Sequence, residues 1–140
     1  VKLFFDSSVL VPAFLTEHIH HAASKAAYQP GRREDRSCGA HSLAEFYSTF
    51  TGFQNRFRLD SNEVLLMIGD ILEKLSIVAL AAEEYVLAIQ DAARDGVVGG
   101  TIYDALLARC AVKAQAEVIY TWNVKHFQQF PEIRSRVRTP

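Results

Sequence analysis

The sequence has little cysteine, little net charge and no long apolar run, and each shortage excludes something. Cys38 and Cys110 are the only thiols, far apart and in no Cys-x-x-Cys pair. That excludes a disulfide framework and a thiolate zinc site, and suits buried free thiols in a reducing compartment. No stretch approaches the roughly 18 to 20 consecutive apolar residues of a membrane span. Asp6 also interrupts the one apolar stretch near the start that could serve as a signal core, so the chain reads as soluble and cytoplasmic with no membrane partner. A net charge of -1 and a pI of about 6.6 provide no overall attraction for nucleic acid, so a polyanion has to be held by a local patch or by metal. The most glycine-rich segment, Asp95-Gly96-Val97-Val98-Gly99-Gly100, lacks the Lys-Ser/Thr ending of a phosphate loop. What is present, 140 residues of which 49% are hydrophobic and 22% charged, suits one compact domain over 1–140.

Lys2-Leu3-Phe4-Phe5-Asp6 is an apolar run closing on a carboxylate. It reads as a strand buried on both faces that delivers Asp6 to its C-terminal end, where ligands sit in open α/β sheets. A short helix over 9–15 follows, capped by Ser7 or Ser8 with Pro12 in its first turn, then a helix over 18–28 ended by Pro30-Gly31. The segment 31–36 is a charged loop. Ser37-Cys38-Gly39-Ala40 is a central strand, followed by a helix whose start carries the pattern Ser42-x-x-Glu45, a capping box. Asp60-Ser61-Asn62 caps a helix with Val64, Leu65, Ile68, Ile71, Leu72 and Leu75 on one face. The β-branched run 76–80 is another buried strand, and a helix over 82–94 turns Tyr85, Val86, Ile89 and Ala93 inward. Thr101-x-x-Asp104 opens a helix running toward Gln115. A strand over 117–120 presents Thr121-Trp122-Asn123, a helical turn covers 124–130, and the tail 133–138, with Arg134, Arg136 and Arg138 alternating, reads as an edge strand.

Alternating strands and helices make right-handed βαβ units, hence a mainly parallel sheet with helices on both faces. Parallel strands aim their C-terminal ends at one edge. That edge is where Asp6 and Asn123, just past strand ends, meet Glu45 and Asp104 in the first turns of helices. Carboxylates crowded there repel one another unless a cation neutralises them, and an all-oxygen set without histidine or thiol in register suits Mg²⁺. Glu45 and Asp104 each have a plainer explanation as residues of a helix start. Ser8 and Thr121 can trim the site by hydrogen bonding or act only as caps. His18, His20 and His21 lack the i, i+4 spacing of a helical metal pair and read as exposed helix-start residues. Trp122 either stacks on a base or packs beside its strand end.

In order and spacing, Asp6 after the first strand, Glu45 opening a mid-chain helix, Asp104 in Thr-Ile-Tyr-Asp-Ala-Leu-Leu-Ala and Asn123 in Thr-Trp-Asn-Val-Lys-His-Phe resemble the PIN-domain ribonucleases, particularly VapC-type toxins of toxin–antitoxin pairs. The resemblance spans nearly the whole chain. It implies a PIN-like three-layer α/β fold, Mg²⁺ or Mn²⁺ held by acidic residues, endoribonuclease activity on RNA, homodimerisation and inhibition by a cognate VapB-like antitoxin. Carried over by position, Asp6 and Asp104 are principal metal ligands, Glu45 is a further acidic contributor, and Asn123 stands where many relatives bear a fourth Asp.

Two other classes compete. A receiver or aspartyl phosphatase also joins a doubly wound sheet to an acidic Mg²⁺ site, but the strand ending at Leu80 carries no acid and the phosphatase Asp-x-Asp is here Asp6-Ser7-Ser8. A PIN-like module that holds RNA or protein without cutting stays open, because Asn123 supplies no charge.

Overall fold

In the computed structural model, which describes residues 1–140, five strands form one sheet in the order β3-β2-β1-β4-β5, every neighbouring pair parallel. The strands are β1 Leu3–Phe5, β2 Arg36–Gly39, β3 Ser76–Val78, β4 Val118–Tyr120 and β5 Val137–Arg138. Between them run α1 Ser7–Phe14, α2 His21–Tyr28, α3 Ala40–Gly52, α4 Ser61–Lys74, α5 Ala82–Arg94, α6 Thr101–Lys113 and α7 Val124–Gln128. None of these helices is long and apolar enough to cross a membrane. Strand order runs outward from β1 to β3 on one side and through β4 to β5 on the other. The reversal falls between β1 and β4, and in open α/β sheets a crevice forms at that point beyond the strands' carboxyl ends.

Successive strand residues face opposite sides of the sheet, and β1 shows it in two adjacent phenylalanines. Phe5 joins Val9, Leu10, Tyr28, Cys38, Phe46, Phe50, Val64 and Ile71 on one face, under α1 to α4. Phe4 joins Leu107, Ala111, Ile119, Phe127, Ile133 and Val137 on the other, under α6 and α7. The expected three layers are present, and the unbroken apolar run of β1 is explained by burial on both faces.

Several details differ from expectation. Helix α1 begins at Ser7 with Asp6 as its N-cap residue, so Pro12 lies at its sixth position, and neither Ser7 nor Ser8 caps it. Helix α2 starts only at His21. Arg36 is not loop but the first residue of β2, 2% exposed, with its guanidinium 5.5 Å and 5.7 Å from the ring centroids of Phe5 and Tyr28. Ringed by π faces, a cation finds a berth that the run of charges around it does not announce. β3 stops at Val78, and as a sheet edge it is half-buried rather than buried. On α5 it is Ala88 and Ala92 that are buried, while Tyr85, Val86 and Ile89 are exposed. On α4, Leu65 and Leu72 are likewise exposed. The tail turns through a 3-10 segment, Arg134–Arg136, before the two residues of β5.

Candidate active site

Asp6 leaves β1 at the reversal point and is 3% exposed. Its backbone N–H bonds the carbonyl of Tyr120, the last residue of β4, at 3.0 Å. This couples the ends of the two central strands. The neighbouring Thr121, 0% exposed, donates its hydroxyl to Asp6 Oδ2 at 2.9 Å. The single hydroxyl proton is then committed, so Thr121 Oγ1 is the acceptor toward Ser8 Oγ at 3.1 Å and toward the Asn123 N–H at 2.9 Å. Ser8 Oγ in turn accepts the Trp122 N–H at 2.9 Å. Ser8 and Thr121 thus tie the β4 exit to α1, and Thr121 fixes one oxygen of Asp6.

Glu45 and Asp104 arrive on α3 and α6, and the capping explanation fails for both. The N-cap of α3 is Gly39, three residues earlier than a Ser42 cap requires, and Ser42 lies inside the helix with its buried hydroxyl unpartnered. Glu45 is left free of any backbone N–H and accepts from Ser7 Oγ at 3.4 Å. The N-cap of α6 is Gly100, and no side chain caps that helix. Real caps exist elsewhere: Asp60 accepts from the Glu63 N–H at 2.9 Å and Glu84 from the Ala81 N–H at 2.8 Å.

Burial pushes the Glu45 carboxyl above the usual glutamate range, and the negative charges of Asp6 and, less strongly, Asp104 push the same way against His41 and the Ser7 hydrogen bond. Burial likewise raises Asp104, opposed by His126 and reinforced by Asp6. Glu45 thus feels the charges of both aspartates, and Asp104 feels that of Asp6. No lysine or arginine pairs with any of them; the one cationic side chain within 4 Å is His126, 3.6 Å from Asp104 Oδ2. Other acids of the chain are treated differently, Glu84 bonding Lys113 at 2.6 Å and Asp91 bonding Arg109 at 2.6 Å. No three His, Cys, Asp or Glu side chains stand at closed metal-ligand spacing, so the acids share an electrostatic field without being drawn into a finished coordination shell. A group of carboxylates, Asp6 buried and Glu45 and Asp104 half-buried, with no lysine or arginine partner is the donor chemistry that suits a hard divalent cation.

Asn123 is exposed at the N-terminus of α7, its backbone tied to Thr121. Ser7, His41 and His126 also belong here and carried no isolated signal. The one available clue was position: Ser7 adjoins Asp6, His41 opens the helix of Glu45, and His126 lies one turn beyond Asn123.

Residues 3–132 match the PIN domain family. The chain belongs to that family. Ribonuclease VapC27 of Mycobacterium tuberculosis is 30% identical over 116 residues, covering 83% of this PIN domain and 81% of that protein. Among solved structures, VapC20 of Mycobacterium tuberculosis, a toxin that cleaves the sarcin–ricin loop, superposes with a TM-score of 0.69 at 14% identity over 89% of this chain and 92% of its own. VapBC2 from Rickettsia felis, bound to a DNA fragment from its promoter, superposes with a TM-score of 0.66 at 15% identity over 99% and 98%. At such identities these two structures speak to the fold, and they agree with the PIN architecture.

Proposed function

We propose that this PIN domain is an endoribonuclease that hydrolyses RNA phosphodiester bonds with a divalent cation, Mg²⁺ or Mn²⁺, and is the toxin of a type II toxin–antitoxin pair. One observation carries the reading: Asp6, Glu45 and Asp104, from three distant parts of the chain, share one electrostatic environment with no lysine or arginine to neutralise them. Such an arrangement is unfavourable in a resting protein and makes sense as a cation's seat. Asp6, Glu45 and Asp104 are the residues that would hold it. When bound, the cation supplies Lewis-acid stabilisation of the charge that develops on the phosphoryl oxygens.

The chain's own groups do the positioning. Thr121 takes one oxygen of Asp6 and leaves the other for the site. Ser7 orients Glu45. His126, beside Asp104 and 60% exposed in its side chain, stands where a proton can be passed to or from solvent. The amide of Asn123 orients by hydrogen bonding and adds no charge. On this reading the reaction is cytoplasmic. A VapB-like antitoxin and a second copy of the chain are the protein partners, and the exposed Leu65, Leu66 and Leu72 of α4 with Val86 and Ile89 of α5 are apolar surface suited to such contacts.

The test is cleavage of single-stranded RNA with Mg²⁺ or Mn²⁺, with and without chelator. Cleavage lost on chelation, and lost in Asp6→Ala and Asp104→Ala variants whose circular dichroism matches the parent, supports the assignment. Full activity in either variant refutes it. Asn123 favours a second reading, a PIN-like module that binds RNA or protein without cutting, and binding without cleavage under every metal condition would select it.

A further inference from the structure

The only tryptophan of the chain, Trp122, follows directly on Thr121, the residue that holds Asp6. Its indole lies face to face with the His20 imidazole, ring centroids 3.6 Å apart and planes within 8°. The pair is immobilised from several sides. The indole N–H donates to Ser24 Oγ at 2.9 Å and the Trp122 backbone N–H to Ser8 Oγ at 2.9 Å. His18 Nδ1 accepts the His20 backbone N–H at 3.0 Å, and His21 Nδ1 lies 2.8 Å from the Pro12 carbonyl. Both residues are half-buried, and the indole also packs against the core of Phe5, Val9 and Phe46. The His18 ring, 5.6 Å from His20 and tilted by 37°, flanks the stack without capping it.

A flat, rigid, half-buried aromatic pair is an uncommon thing to hold three hydrogen bonds away from a carboxylate, along the path Trp122 to Ser8 to Thr121 to Asp6. Packing on the core explains part of the indole's burial but does not require an imidazole in parallel register with it. Every nucleobase presents a π face, and a preorganised ring receives it without the entropy loss of ordering a mobile side chain. Unpaired bases in loops and single strands are the ones free to stack in this way.

We propose that His20 and Trp122 form a stacking platform for one unpaired nucleobase beside the scissile phosphate, making both residues determinants of substrate choice. The inference rests on the ribonuclease reading above. It adds that the substrate is cut where the flanking base is unstacked, and that duplex RNA is a poor substrate because its bases are already committed. Neither ring touches the reacting atoms, so the pair positions RNA and is not catalytic.

The single tryptophan makes the test direct. A mixed-sequence oligoribonucleotide is titrated into the Asp104→Asn protein, which holds RNA without turning it over, while Trp122 emission is followed. A matched series with one abasic nucleotide moved along the strand is then assayed for cleavage by the wild-type protein. The platform predicts quenching on binding and one abasic position, next to the cut, at which KM rises by about 10-fold with kcat nearly constant, the size expected for losing one base–aromatic stack. Trp122→Phe and His20→Phe should keep most of the affinity, and His20→Ala should lose it. The abasic series uses unmodified protein, so misfolding of a variant cannot decide the outcome. Cleavage that proceeds equally at every abasic position, with unchanged emission, overturns the platform and leaves the ribonuclease reading standing. Wild-type protein that neither binds nor cuts RNA in Mg²⁺ or Mn²⁺ overturns both.

Discussion

The Thr121 hydroxyl is the atom whose removal should reveal most about how the site is built. Thr121→Val keeps the shape of the side chain at a 0% exposed position and deletes only the polar group, so no cavity forms. Three partners lose it at once: Asp6 Oδ2, the Asn123 N–H and Ser8 Oγ. A hydrogen bond to a charged group contributes about 1.5–3 kcal/mol and a neutral one about 1 kcal/mol. Asn123 is exposed and can turn to water, whereas the buried Asp6 oxygen cannot. The expected loss of stability is therefore about 3 kcal/mol. In urea unfolding followed by circular dichroism, with a slope of about 1–3 kcal/mol/M, the midpoint should fall by roughly 1–3 M. Cleavage should fall by about 100-fold, because an unanchored Asp6 no longer holds its productive geometry. Thr121→Ser retains the hydroxyl and should recover most of both properties. A Thr121→Val protein with the parental midpoint and parental kcat would refute the hydrogen-bonded anchor. A lowered midpoint with intact cleavage would confine Thr121 to stability.

Two further outcomes follow from the charges. Glu45 and Asp104 have folded pKa values raised above their unfolded ones, Glu45 by burial and then the Asp6 charge, Asp104 by burial with Asp6 adding to it against His126. The native state thus binds their protons more tightly and loses stability as pH rises from the ordinary carboxylate range through the raised values. Glu45→Gln and Asp104→Asn should be harder to unfold with urea than the parent at neutral pH and should converge with it near about pH 4, while cleaving poorly; parallel curves at every pH would contradict the crowding. A cation seated among these acids should in turn stabilise the fold, by about 2.7 kcal/mol at a Mn²⁺ concentration 100 times its Kd, or roughly 10 °C in Tm. Asp6→Asn and Asp104→Asn should abolish that rise, and an equal rise in all three proteins would place the cation elsewhere.

The strands were legible because a strand buried on both faces must be apolar throughout, and Leu3-Phe4-Phe5 feeds two separate cores. Facing was less legible. The apolar spacing on α5 gives the helical period but not its phase, since Tyr85, Val86 and Ile89 are as helical in their spacing as the buried Ala88 and Ala92. An apolar stripe on a helix is a face that packs against something, and it does not say whether that something lies within the same chain.

The acidic residues were legible for a reason opposite to the one their local pattern offers. Ser42-x-x-Glu45 has the letters of a capping box, but a capping box requires the helix to begin at Ser42, and that boundary is set by packing. β2 ends on Gly39, where a Cβ would lie 2.8 Å from Leu107 Cδ2 on α6. The close approach of α6 to this strand end accompanies a helix that begins at Ala40, drawing Ser42 inside and carrying Glu45 into the second turn, away from the backbone donors it was expected to satisfy. The same packing of α6 on the sheet places Asp104 where the charge of Asp6 reaches it. A local pattern can show that an acid sits near a helix start. Only the tertiary arrangement determines whether the carboxylate is used up by its own helix or left for something else, and Glu45 and Asp104 are left.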